Sequence, residues 1–359
     1  MENKAAIEKD DLKRDMKELT AANEVLLKNF DDLRTERDGI YAEWKKTGEA
    51  LRNVQASAFR FQDQPEWAPD SDESIRHELK SLESSARAWC NENCIKALSM
   101  LRMTPDALLN EWGLVMRYDE KVFAKNDQHL PQLILLALLM DYIYGNIFAK
   151  PFWFLPWRIM GADAEEGANK VLCRGLHEGL AGVLEETTQG NMEGSHSWRS
   201  QWLRLLDPNP RDQQERHLLE ATKTRTELAR KKAAECLMAN FLATSAAFLI
   251  NAKPLDVPRL APLQLIFNTA AQISHKLWLR KSYLEIQTIR GLPKTYLHTN
   301  ERLNYHSLHN EFLSAEETGL DGYPIIVVTH PAVLVHGNSD GSNYGAPPRI
   351  WKEARVWMG

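Results

Sequence analysis

One spacing rule holds without a break through about the first sixty residues. Leu12, Met16, Leu19, Asn23, Leu26, Phe30, Leu33, Arg37, Ile40, Trp44, Thr47, Leu51, Val54, Ala58 and Phe61 follow one another at alternating steps of four and three. A straight helix has about 3.6 residues per turn, so it keeps such a seam on one side only by supercoiling around a partner. With Leu12, Leu19, Leu26, Leu33 and Ile40 at d, and Met16, Asn23, Phe30, Arg37, Trp44 and Leu51 at a, the pattern is that of a parallel coiled coil. Asn23 at an a position favours two strands and fixes their register. Arg37 and Thr47 weaken the middle of the run, and Gly39 and Gly48 each cost about 1 kcal/mol against Ala in a helix. The g-to-e charges select a partner poorly: Glu8 can reach Lys13, but Asn29 with Arg34 and Glu36 with Tyr41 are poor pairs. The expected assembly is a homodimer through Leu12, Met16, Leu19, Asn23, Leu26, Phe30, Leu33, Ile40, Leu51 and Val54, with a hetero-partner left open. An amphipathic helix packed on the chain's own body is the competing reading. It fits less well, because an ideal helix drifts from a heptad repeat by roughly 20° per heptad.

A zipper invites a DNA-binding reading, which needs a basic helix before the first leucine. The residues preceding Leu12 instead carry Glu2, Glu8, Asp10 and Asp11, and the chain's net charge is -5, so no nucleic-acid partner is expected. The Arg230-Lys231-Lys232 triplet lies among Glu227 and Glu235 and reads as a solvated helix face. Cys90, Cys94, Cys173 and Cys236 are too few and too scattered for a disulfide framework. Together with an N-terminus that lacks the apolar stretch of a signal peptide, they point to an intracellular protein, cytoplasmic or nuclear. Two apolar stretches fall short of a membrane span: Leu133 to Met140 is interrupted by Asp141, Asn146 and Lys150, and Cys236 to Ala252 is diluted by Asn240, Thr244, Ser245 and Asn251. No transmembrane segment is expected.

The expected fold is mainly α: a coiled coil over residues 1–62, an acidic linker over 63–73 containing Pro65 and Pro69, an all-helical domain over 74–322, and a small β-hairpin element over 323–359. Ile75, Leu79, Leu82, Ala86 and Trp89 step by four and three behind Ser74, a helix start. Thr104-Pro105 starts another helix, expected to reach Phe123, and Pro131 opens a buried one. Phe152, Trp153, Phe154 and Trp157 crowd between two prolines and are expected to wedge a helix corner into the core, the alternative being a ligand-gripping or membrane-interface loop. Gly167, Gly175, Gly179 and Gly182 suggest a helix approached closely by a neighbour, and Trp198, Trp202, Leu203 and Leu206 a short helix. A long helix runs from Arg211, and after Pro254, Pro258 and Pro262 another carries Ile266, Ala270, Ile273, Leu277 and Leu284. Ile325 to Val328 and Ala332 to Val335 read as strand, and alternation from Arg349 to Met358 supplies its hairpin partner.

Residues carrying chemistry are sparse. Gly337, Asp340, Gly341 and Asn343 could cradle an anion or offer oxygens to a cation, but they match neither a Walker A nor an EF-hand loop, and turn chemistry is the simpler reading. His298, His306, His309, His330 and His336 gather toward the C-terminus without a zinc-ligand spacing, and Cys90 and Cys94 lack a second pair. No metal, cofactor or catalytic residue is therefore expected, and the chemistry leans away from an enzyme.

The segment PAVLVHGNSDGSNYG followed by RIWKEARVW, the helix IRHELKSLESSARAW and the aromatic FWF resemble a broad group of uncharacterised filamentous-fungal proteins. That resemblance covers about residues 74–359, implies an intracellular protein with a helical body, and carries no activity with it. The leading expectation is a non-enzymatic homodimeric coiled-coil interaction or scaffold protein. The alternative is an enzyme or ligand-binding protein with a site near loop 337–345 and the C-terminal histidines.

Overall fold

The computed structural model describes residues 27–47, 70–101, 112–117, 120–126, 128–160, 170–208, 213–251, 257–310 and 317–359. They fall into two units, Met1–Pro65 and Glu66–Gly359. In the first unit the described part is one helix, α1 (27–47). Phe30, Leu33, Ile40 and Trp44 on it are 61–70% exposed. Leu12, Met16, Leu19, Asn23, Leu26, Leu51 and Val54 lie outside the described residues.

The second unit is mainly helical with a small C-terminal β region. Helix α2 (Asp72–Asn93) is capped by the Ser71 hydroxyl, which accepts from Ser74 N at 3.1 Å, and Asp72 and Glu73 complement the positive end of its dipole. The cap is thus one turn earlier than the expected Ser74. Its stripe of Ile75, Leu79, Leu82, Ala86 and Trp89 is buried throughout. Between α2 and α3 (Glu120–Lys125) the expected single helix to Phe123 is interrupted. Residues 113–115 form a turn, after which Met116 bridges Val327 and Arg117 N donates to Ile326 O at 2.7 Å.

Helix α4 (Leu130–Ile143) has Pro131 in its first turn, where a missing N–H costs nothing, and continues as a π turn over Tyr144–Phe148. Leu130–Phe148 is long and apolar enough to cross a membrane by length and composition, but 67% of that window is buried inside the fold. Phe152, Trp153 and Phe154 are buried in the turn before α5 (Leu155–Met160), as a corner wedge requires, with Phe152 edge-on to Trp202 at 5.4 Å. In α6 (Lys170–Gly190), Gly179 and Gly182 face open space, so close packing does not explain them. Asn191 alone separates α6 from α7 (Met192–Leu206), its side chain accepting from Gly194 N at 2.8 Å. Helices α8 (Gln213–Leu242) and α9 (Val257–Trp278) lie side by side, and α9 also packs on α2.

Six strands follow: β1 (Tyr283–Gln287), β2 (Leu303–Tyr305), β3 (Val327–His330), β4 (Ala332–His336), β5 (Arg349–Lys352) and β6 (Ala354–Trp357). They form two sheets, β1-β4-β5 and β2-β6-β3. The expected hairpin is present but divided. Pro331, which cannot donate to a ladder, and Glu353 each mark the place where one arm leaves one sheet for the other. Val328 thus pairs Val356 in one sheet and Val333 pairs Lys352 in the other, both antiparallel, each ladder with a bulge. Strands β1 and β2 flank this core, so the region expected to be all-helical to residue 322 contains strand from Tyr283, and Leu284 belongs to β1 instead of α9. Strand β3 is buried over its whole length and packs on α4, while α2 covers β5.

Candidate functional site

The four loop residues singled out from the sequence do come together, as one turn. Gly337, Gly341 and Asn343 all have positive φ (73°, 91° and 65°), the region glycine tolerates best. A side chain at Gly337 would strike the Tyr344 ring, which lies where its Cβ would point. Asp340 Oδ1 accepts from Ser342 N at 2.9 Å and Ser342 Oγ at 2.7 Å, and these bonds hold its carboxyl below the usual range. The carboxylate is thus spent on its own turn. Outside the turn, Tyr344 donates its hydroxyl proton to Lys281 O at 2.7 Å and Arg349 Nη2 donates to Gly337 O at 3.1 Å. Both bonds fasten the loop to the body.

Under Tyr344 three rings stack. His196 lies parallel to Tyr283 at 4.9 Å, Tyr283 parallel to His336 at 4.4 Å, and the Tyr344 ring is 5.7 Å from His196. His336 Nε2 is 2.7 Å from Glu285 Oε2, which orients the far end of the stack. His196 comes from α7, whose buried face is Ser195, His196, Arg199, Ser200 and Leu203, while Trp198 and Trp202 are half-buried. That face meets the carbonyls after the C-terminus of α9, where a helix leaves acceptors unpaired. Ser200 Oγ donates to Leu279 O at 2.6 Å, Arg204 Nε to the same oxygen at 3.0 Å, and Arg199 Nη2 to Ser282 O at 3.0 Å and to Arg280 O. The Arg199 guanidinium also lies over the Trp278 ring at 4.6 Å.

The other histidines are held apart from this stack and from any common ligand. His298 pairs with Asp321 at 2.6 Å, and His309 Nε2 accepts from Met358 N at 3.1 Å. His306 is the cap of a 3₁₀ turn and is buried. His330 is fully buried between Tyr144 and Pro331. Among the described residues no group of three His, Cys, Asp or Glu side chains could hold a metal ion. Cys90 is buried in α2, and burial pushes its thiol pKa well up, which leaves it a core residue.

A second polar cluster sits where α2 crosses the sheets. Glu83, 3% exposed at its side chain, meets Arg87 at 2.5 Å, Lys352 at 2.8 Å and Arg355 at 2.8 Å. Burial alone would raise its pKa, but His330, Lys352 and Arg355 hold it down to about 2. With one carboxylate already saturated by three cations, the cluster reads as a fastening between helix and sheet. Next to it a cavity of about 10 Å³ is lined by Asp141, Thr288, Val115, Ile289 and Val328. Burial pushes Asp141 up to about 6, yet this volume holds roughly one water and no organic substrate.

The loop and His336 were singled out from the sequence, whereas His196, Arg199, Tyr283 and Glu83 were not. The available signal was polar: a His and an Arg three apart on a Trp-rich helix, and a Glu inside an apolar stripe. No family model, curated protein or solved structure matches the chain, so the site stands on its own geometry.

Proposed function

We propose that this chain is a non-enzymatic homodimeric interaction protein, in which a parallel N-terminal coiled coil sets stoichiometry and the helical body presents a surface to a protein partner. The observation that carries the reading is on α1. Phe30, Leu33, Ile40 and Trp44, all a or d residues, are each more than 60% exposed, and Leu27 and Tyr41 at the flanking e positions are exposed beside them. Six large apolar side chains on the five turns from Leu27 to Trp44 exceed what a solvated helix presents, and each buried in a dimer contributes roughly 1.5–3 kcal/mol. A second copy is the occupant a 3.5-residue period selects. An intracellular setting, cytoplasmic or nuclear, no nucleic-acid partner and kinship with the filamentous-fungal proteins belong to the same proposal.

Light scattering of the full chain tests it. The expected mass is twice that of one chain, falling to one after Ile40→Asp, which places a charge in the seam while leaving the helical body untouched. A wild-type monomer, or a dimer that survives Ile40→Asp together with Leu33→Asp, removes the coil from the argument. The alternative ligand-binding reading is favoured by one separate observation: among the described residues no carboxylate pairs with the fully buried Arg199.

A further inference from the structure

Among the described residues two arginines are almost wholly buried and placed alike, each over a Trp ring and each giving hydrogen bonds to backbone carbonyls, but only one of them meets a counter-charge there. Arg280 Nη1 is 2.9 Å from Asp72 Oδ1. Arg199 is 0% exposed, and its Nε and Nη1 have no hydrogen-bond partner at all. Three helical positions away, His196 is 5% exposed and both of its ring nitrogens are without a partner. A buried charge without a counter-ion is costly, and each unmade hydrogen bond adds to the cost. Burial pulls the Arg199 guanidinium down to about 9, and burial with the nearby Arg199 and His336 pulls His196 down to about 3.

From this pair we infer that Arg199 and His196, on the buried face of α7 behind Tyr344, form the binding site of a small ligand bearing one oxyanion group. Arg199 supplies a fixed positive charge and free donors, which suit a carboxylate or a phosphate alike. His196, its plane fixed by stacking on Tyr283, supplies one further donor from a neutral ring. Three of the acidic side chains nearby are committed elsewhere, Glu285 to His336, Asp72 to Arg280 and Arg349, and Asp340 to Ser342, while Glu193, on the first turn of α7, is exposed to solvent. The way in is Tyr344, which is half-buried, rests against His196 and is latched by its single hydroxyl bond to Lys281. Its loop turns on Gly337 and Gly341, both with positive φ, so a rotation there that releases the Arg349 bond to Gly337 O opens the site. This site goes beyond the dimeric-scaffold reading and stands or falls independently of it.

The test is a titration of the full chain with sodium phosphate and, separately, sodium acetate, each at constant ionic strength with chloride as balance. A saturable rise in Tm is expected with one of the two anions and not with chloride. A response to phosphate assigns a phosphorylated ligand, and a response to acetate assigns a carboxylate. Arg199→Met, which removes the buried charge, should weaken the anion's affinity at least roughly tenfold. In the wild-type chain the His196 ring resonances should move along the same saturation curve, a readout that does not depend on the variant folding. Absence of a saturable response to either anion, an equal response to chloride, an unaltered response in Arg199→Met, or His196 resonances that stay in place at saturation each overturns the assignment.

Discussion

The phenolic oxygen of Tyr144 lies 3.0 Å from Nε2 of His330, while Nδ1 of the same ring is 2.7 Å from the carbonyl oxygen of Pro331. A carbonyl only accepts, so the ring proton is on Nδ1, Nε2 is the acceptor, and Tyr144 donates. Both residues are fully buried. Tyr144→Phe would therefore strand a buried acceptor, at about 1–3 kcal/mol of stability. Urea unfolding should show a lower midpoint with an unchanged slope, and an unshifted midpoint would mean that the bond contributes nothing net.

Among the described residues Glu83 is the one carboxylate paired with Arg87, Lys352 and Arg355. Glu83→Gln leaves Lys352, 8% exposed at its side chain, buried without its counter-charge, a loss of about 3–5 kcal/mol. Adding Lys352→Met to Glu83→Gln should recover part of that loss. If the double variant is no more stable than Glu83→Gln, the cost lies elsewhere in the cluster.

Three buried histidines make the fold acid-sensitive. His330 and His306 are pulled to about 4, and His196 to about 3, in each case chiefly by burial, from an ordinary 6.5. Below that ordinary value the unfolded chain takes up protons that the folded one refuses, so their stability, full above 6.5, is lost as pH falls toward 4. A full shift of this size is worth roughly 3 kcal/mol per histidine. Asp141, pushed up to about 6 by burial, acts oppositely and offsets about one of them. The denaturation midpoint should be clearly lower near pH 4.5 than near neutrality, and a flat profile would show that these rings ionise freely in the fold.

Truncation after Gly322 removes β3 to β6 and uncovers α4 and α2, which pack on β3 and β5. Val327, Val333, Leu334, Ala354 and Val356 are each 0% exposed, and each large side chain among them is worth roughly 1.5–3 kcal/mol. The truncated chain is expected in the insoluble fraction. Recovery of a soluble protein with a cooperative melt and an unchanged midpoint would make the strands an appendage.

How much of this was legible depends on the length of each signal. The α2 stripe and the apolar run of α4 extend over three turns or more, the first long enough for periodicity to speak and the second apolar on every face, and they lie where expected. Strand β2 is three residues long and β1 five, too short to declare a period of two, and the chain reaches them through contacts distant in sequence, such as Leu303 with Ala354. Gly337 and Gly341 announced a turn because positive φ is local chemistry. Arg199 was invisible because a charged residue on a helix is by default solvated, and only the tertiary placement of Trp278 and the α9 terminus buries it.

The central place of β6 between β2 and β3, and of β4 between β1 and β5, also sets the order in which the body can form. A ribosome delivers α2, α4 and α9 long before residue 357, yet neither sheet can close until β5 and β6 exist, since β4 needs the one and β2 and β3 the other. Through that interval the apolar faces of finished helices stand open, available to chaperones and to other nascent chains. Closing loops such as Met116 to Val327 is slow compared with winding a helix. By content the body is helical, but the step that completes it is the pairing of its last strands.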